Sequence, residues 1–162
     1  MDGAAAQACS SFLTMKAINP SEAARAISRA RVMEQHATEG NYRRVFVYGT
    51  LQRGLVNHGW LAKSPFLGND SLPGAWLHDL GPFPMAVPDP SGDAGALVHG
   101  ELFAITEVTL VQLDRLEGAP RLYQRHWLPL LSGASAWVYL GRAPQVRHSP
   151  RLLDGRWRGR RR

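Results

Sequence analysis

The amino-acid sequence predicts a small α+β domain with a curled, mostly antiparallel sheet. Three observations carry that expectation. The predicted elements run strand, helix, several strands, one helix, two strands, which lacks the regular alternation of a doubly wound parallel sheet. The composition, 44% hydrophobic and 20% charged over 162 residues, suits one sizeable core. No internal repeat of about 20–50 residues is present, which excludes a solenoid or propeller.

Residues 1–43 differ from the rest and are expected to form a loosely attached extension. Pro20-Ser21-Glu22 opens a helical stretch whose apolar stripe (Ala23, Ala24, Ala26, Ile27, Val32) is thin and alanine-rich. No continuous apolar core of a secretory signal is present, and Asp2 and Glu22 speak against a transit peptide. Met33 is an alternative natural start.

The body is expected over residues 44–157. Val45-Phe46-Val47-Tyr48 is a continuous β-branched and aromatic run closed by Gly49, the pattern of a buried strand. Leu55 to Lys63 predicts a short helix. Pro65 to Pro73 and Phe83 to Asp93 are the two candidate loops for setting specificity, and Pro73-Gly74 turns the chain into Ala75-Trp76-Leu77. Gly81-Pro82-Phe83-Pro84 leads rigidly into Met85-Ala86-Val87, and Pro88 to Asp93 is a turn. Ala96 to Ile105 predicts the longest strand. Leu97, His99, Glu101, Phe103 and Ile105 lie on one face, and Val98, Gly100, Leu102 and Ala104 on the other. Thr106 is an N-cap, Val108 to Leu116 supply a helical face, and Gly118 with Pro120 ends it. Leu122 to Leu131 and Ala136 to Leu140 predict two more strands, with Trp76, Trp127, Trp137 and Phe83-Pro84-Met85 assigned to the core.

Charge is uneven. Arg142 to Arg162 hold eight Arg against Asp154 alone, while the remaining chain is nearly neutral within a net +6. The basic tail, 158–162, is read as a solvated terminus rather than a nucleic-acid arm, since no basic surface with interleaved aromatics accompanies it. No apolar run reaches the 18 or so residues of a membrane-spanning helix. The single cysteine, Cys9, excludes an internal disulfide framework. Six scattered histidines show no metal-ligand spacing, so no metal is expected. Dinucleotide-binding and nucleophile-elbow glycine patterns are missing. Gly49 and Gly54 have phosphate-loop spacing, but Leu55-Val56 follows where Lys-Ser/Thr is needed.

Two segments remain: Val45-Phe46-Val47-Tyr48-Gly49-Thr50-Leu51-x-x-Gly54-x-x-Asn57, and Leu113-Asp114-x-x-Glu117-Gly118-x-Pro120-x-x-Tyr123-x-Arg125. In this order they resemble the γ-glutamylcyclotransferase superfamily, especially its small γ-glutamylamine cyclotransferase-like branch. Val98-x-Gly100-Glu101-Leu102-Phe103-x-Ile105 is similar to that family's central strand, and Gly155-Arg156-Trp157 to the ending of its bacterial members. The resemblance covers roughly Arg44 to Trp157. It implies a curled sheet or partial β-barrel with a few flanking helices, and a cytoplasmic, cofactor-free enzyme acting on a small γ-glutamyl molecule.

The reaction so implied cyclises a γ-glutamyl group to 5-oxoproline and frees an amine. Nucleophile and electrophile share one substrate, so the protein needs no covalent nucleophile, in keeping with the absence of a Ser-His pair in the motifs. It needs a proton acceptor that becomes a donor, and donors for an oxyanion. Glu117 is the candidate for the first role. A helix C-terminus, like charge from Asp114 and partial burial are each expected to raise its pKa. Tyr48-Gly49-Thr50-Leu51 is the candidate backbone cradle, with Gly49 sparing a Cβ so that substrate can approach. Tyr123 is a candidate partner for Glu117 or the substrate carboxylate, or else a core tyrosine with a satisfied hydroxyl. Asn57 stays open, and Arg125 is expected to pair with Glu101 or Asp114. The alternative is a non-catalytic γ-glutamyl-binding protein on the same fold; the leaving amine and the oligomeric state are not legible.

Overall fold

The computed structural model describes residues 42–159, all within the unit Ala37–Arg162. The helical stretch after Pro20, Cys9, Met33 and Arg160 to Arg162 lie outside the described residues. The strands are β1 (Tyr42–Val47), β2 (Phe66–Pro73), β3 (Ala75–Asp79), β4 (Pro84–Pro88), β5 (Leu97–Thr106), β6 (Gln124–Pro129) and β7 (Ser135–Leu140), with α1 (Glu107–Leu116) between β5 and β6. Five strands form one sheet in the order β2-β5-β1-β7-β6, and β3 pairs with β4. All pairs are antiparallel except β1 with β7.

The architecture is α+β, as expected, but the sheet is open: β2 and β6 are its edges and no barrel closes. In place of a few flanking helices, the described residues hold one α-helix and two short 3₁₀ helices, His58–Leu61 and Ala143–Gln145. The predicted helix at Leu55 to Lys63 is reduced to the first of these. Gly59 and Asn57 are poor helix formers, and the Asn57 side chain bonds to Thr50 Oγ1 at 3.0 Å. Pro65 to Pro73 is not a loop. It is β2, paired along β5 from Phe66↔Phe103 to Pro73↔Leu97 with a bulge at Phe66/Gly68. Its Gly68-Asn69-Asp70 carries no strand propensity, and tertiary pairing overrides that.

Both faces of the sheet are covered, which is why β1 ends in an unbroken apolar run. Val45 and Val47 share a face with Phe103, Ile105 and Tyr139, against Leu110 and Leu113 of α1. Phe46 and Tyr48 share the other with Val98, Leu102, Val138 and Leu140, against Leu77, Ala86 and Trp157. The period-two alternation read for β5 places Phe103 and Ile105 in one core and Val98 and Leu102 in the other. Gly100 is required by packing, since a Cβ there would overlap the Val47 carbonyl oxygen and the Phe46 ring.

The aromatic assignments divide. Pro84 and Met85 are buried, Phe83, Trp76 and Trp137 are half-buried, and Trp127 is 49% exposed on the edge strand β6. Trp127 packs edge-on to Trp137 with ring centroids 5.3 Å apart. The chain beyond β7 folds back on the body: Gly155 O accepts from His99 N at 2.8 Å, and Leu77 O accepts from Leu152 N at 2.8 Å.

Candidate active site

β1 and β7 run in parallel, so their C-terminal ends emerge side by side. A cavity of about 220 Å³ opens there, lined by Tyr48 to Leu51 after β1, Glu117 after α1, and Tyr123. Every predicted site residue therefore lines one cavity, together with Asn57.

The loop after β1 is held by its own polar groups. Gln52 N donates to Gly49 O at 3.1 Å, and Asn57 N donates to Thr50 O at 2.9 Å. Gln52 Nε2 donates to Tyr48 O at 2.9 Å, to Gly49 O at 3.3 Å and to Trp157 O at 3.4 Å. Glu101, buried on β5, accepts from Arg53 N at 2.8 Å and Arg53 Nε at 2.9 Å, bracing the same loop from behind. These bonds use carbonyls, and the N–H groups of Gly49, Thr50 and Leu51 have no acceptor among the described residues. Three successive donors without an acceptor among the described residues thus lie at one cavity, an arrangement able to hold an anion.

Gly49 is needed for a different reason from the one expected. A Cβ there would lie 3.0 Å from Cγ and 3.2 Å from Cδ of Pro84, so the space belongs to the proline ring rather than to a ligand.

Glu117 caps α1. The helix starts at Thr106, whose Oγ1 accepts from Thr109 N at 3.1 Å, and ends as Glu117 N donates to Leu113 O at 2.8 Å and Gly118 turns to φ +60°. The Glu117 carboxylate is half-buried and makes no hydrogen bond or ion pair among the described residues. Burial alone raises it to about 7. The contribution expected from Asp114 is not there, because Asp114 faces other partners. It accepts from Arg125 Nη1 and from the Tyr139 hydroxyl at 2.8 Å. Arg125 thus pairs with Asp114 and not with Glu101, and its guanidinium also lies 4.6 Å from the Trp137 ring centroid.

The two tyrosines are locked. Tyr48 donates its hydroxyl proton to Tyr139 O at 2.5 Å and accepts from Ala86 N at 3.2 Å, so its phenol is committed to backbone partners. Tyr123 donates to Pro84 O at 2.8 Å. It is therefore no donor to Glu117 or to a substrate carboxylate, although its oxygen keeps acceptor capacity. Burial, and then the neighbouring Glu117 carboxylate, push the Tyr123 phenol well above its ordinary value and keep it protonated. Sequence reasoning missed Tyr139, which joins the Tyr48 and Asp114 networks, and the Pro84 carbonyl. A backbone acceptor has no sequence signal, and Tyr139 resembles any core aromatic on a strand.

The model of the family "Gamma-glutamyl cyclotransferase, AIG2-like" matches residues 45–159. A Vibrio cholerae protein named "Putative gamma-glutamylcyclotransferase" is 40% identical over 115 residues, covering 70% of this chain and 93% of its own. The solution structure of protein ytfP from Escherichia coli superposes with a TM-score of 0.55 at 34% identity, over 71% of this chain and 96% of that one. An AIG2-like protein of Mus musculus superposes with a TM-score of 0.59 at 26% identity, over 70% and 87%. The family match spans nearly all the described residues, and the chain belongs to the AIG2-like γ-glutamylcyclotransferase family.

Proposed function

We propose that this cavity cyclises a γ-glutamyl amine or γ-glutamyl amino acid to 5-oxoproline and a free amine, with Glu117 carrying the protons. The observation that carries the reading is one carboxylate without a partner among the described residues, raised to about 7, in the same cavity as three N–H groups without an acceptor among them. The cradle at Gly49 to Leu51 binds oxygen atoms of the γ-glutamyl group, either its α-carboxylate or the oxyanion formed at the γ-carbon.

The α-nitrogen bonds to the γ-carbon, and the bond from that carbon to the leaving nitrogen breaks. No water is consumed and no atom changes oxidation state, so the chemistry calls for no redox cofactor. Two protons pass from the attacking ammonium to the leaving nitrogen. A carboxyl near pKa 7 can take each and return it, because neither form dominates at neutral pH. Joining both reactants in one molecule supplies most of the entropic advantage, leaving the protein to position and to shuttle protons. The Tyr123 oxygen can accept from the substrate ammonium.

The test is release of 5-oxoproline, followed by mass spectrometry, from a panel of γ-glutamyl amines and γ-glutamyl amino acids. Wild type should form it, and Glu117→Gln should lose about 10²–10⁴-fold in turnover. Undiminished turnover by the variant would remove Glu117 from the mechanism. No product from any member of the panel would overturn the proposed activity.

A further inference from the structure

A second cavity, of about 320 Å³, is walled by β2, β5, Gln52 and Arg156, and shares no lining residue with the first. Its size suits a small metabolite, at the lower end of the about 300–1,000 Å³ of ligand sites. Every lining residue except Gly100 has a polar side chain. Glu101 and His99 stand two positions apart on one face of β5, about 7 Å along the strand. Burial, and then the Arg156 charge, hold His99 below its ordinary value, so Arg156 stands at the His99 end and the imidazole is neutral.

The two ends have opposite needs. The Arg156 guanidinium makes no hydrogen bond or ion pair among the described residues. Asp154, its acidic neighbour, is bonded to Arg158 and to Arg156 N. Ser71 Oγ and His99 Nδ1 share a hydrogen bond of 2.8 Å, which fixes the ring and leaves Nε2 without a partner among the described residues. At the other end Glu101 accepts one bond on each carboxylate oxygen, from Arg53 N and Arg53 Nε, and each oxygen can accept another. Asp70, also in the lining, is committed to Ser71 N and to Ser132.

We propose that this cavity is a second ligand site and that its ligand is a free α-amino acid with a polar side chain, its carboxylate on Arg156 and its ammonium on Glu101. A lone anion would lose water while facing Glu101, and a lone cation while facing Arg156. A zwitterion pairs both poles. Its ammonium and carboxylate are joined through one carbon, and a hydrogen bond of about 2.9 Å at either end carries it across an interval of this order. The planar guanidinium suits a carboxylate bidentately. Asn69 and His99 Nε2 remain for the side chain.

Calorimetry on the wild-type protein with L-serine and L-glutamine tests the site. Two analogues of serine isolate its poles: 3-hydroxypropanoate lacks the ammonium and ethanolamine lacks the carboxylate. Serine is expected to bind tenfold or more tightly than either. Arg156→Gln, at an exposed position whose guanidinium holds nothing else, should weaken serine about tenfold or more, and Arg156→Lys should weaken it less. Glu117→Gln should leave serine binding unchanged, since Glu117 lines only the first cavity. No heat from either amino acid at millimolar concentration, equal binding of 3-hydroxypropanoate or ethanolamine, or full-strength binding by Arg156→Gln overturns the assignment. Serine binding lost in Glu117→Gln would place the ligand in the first cavity and overturn it equally.

Discussion

Replacing Glu117 with glutamine should disable the protein and stabilise it at once. The two effects share a cause. Burial lifts the Glu117 carboxyl from 4.5 to about 7, so the folded state holds its ionised form at a disadvantage. That interval corresponds to about 3 kcal/mol. It is an upper limit, because Glu117 is half-buried and water screens part of the charge. Since the folded pKa lies above the unfolded one, the folded protein binds more protons than the unfolded chain between the two values. Below pH 4.5 the carboxyl is protonated in both states and costs nothing. As pH rises through the interval stability falls, and above about 7 the whole penalty is carried. Glutamine keeps the shape and never ionises. Thermal melts at pH 8 should therefore place Glu117→Gln above wild type by up to about 3 kcal/mol, roughly 10 °C in Tm. At pH 4 the two should coincide. A variant less stable than wild type at pH 8, or a difference that does not change with pH, would refute the account of Glu117 as an uncompensated buried carboxylate.

Other expectations follow from the same geometry. Wild-type kcat/KM should rise with pH through about 7 and level off above it, as the base loses its proton; a flat profile between pH 5 and 8 would exclude Glu117 as the acceptor. Gly49→Ala should push Pro84 away and cost about 1–2 kcal/mol in a denaturant titration, with KM raised because the cradle moves with it. Tyr48→Phe should cost about 1–3 kcal/mol, since Tyr139 O and Ala86 N lose a buried partner together. Gly100→Ala should be the most damaging, at about 3 kcal/mol or more, because a Cβ there meets the Val47 carbonyl in mid-sheet; a wild-type melt would show that β5 can shift.

The legible parts of the fold were those where one side-chain period governs the chain. β5 and α1 could be read closely because Leu97 to Ile105 alternate at period two, and Leu110 and Leu113 recur at helical spacing between a threonine cap and Gly118. β2 could not, because Gly68-Asn69-Asp70 looks like a turn to any local rule and becomes a strand only when β5 lies beside it. The stretch after Gly54 failed in the opposite sense: it carries enough apolar residues for a helix, but Asn57 is drawn off to Thr50. At the site, residue identities were legible and their reasons often were not. Glu117, Tyr48 to Leu51 and Tyr123 do line one cavity, and Asp114 does pair with Arg125, one of the two expected pairings; yet Asp114 also binds Tyr139 and adds nothing to Glu117, and Gly49 accommodates a proline. Both are matters of which neighbour arrives in three dimensions, and pairwise spacing along a chain does not contain that.

The amide of Gln52 has a bearing on when the protein can act. It ties the loop after β1 to the carbonyl of Trp157, a residue 105 positions later whose ring is buried in the second core. On the ribosome that loop emerges early and waits for its brace while more than a hundred further residues are added. β5, which supplies Glu101 behind Arg53, also comes after it. A nascent chain therefore carries this loop without its Trp157 contact until the segment that closes the second core has been made.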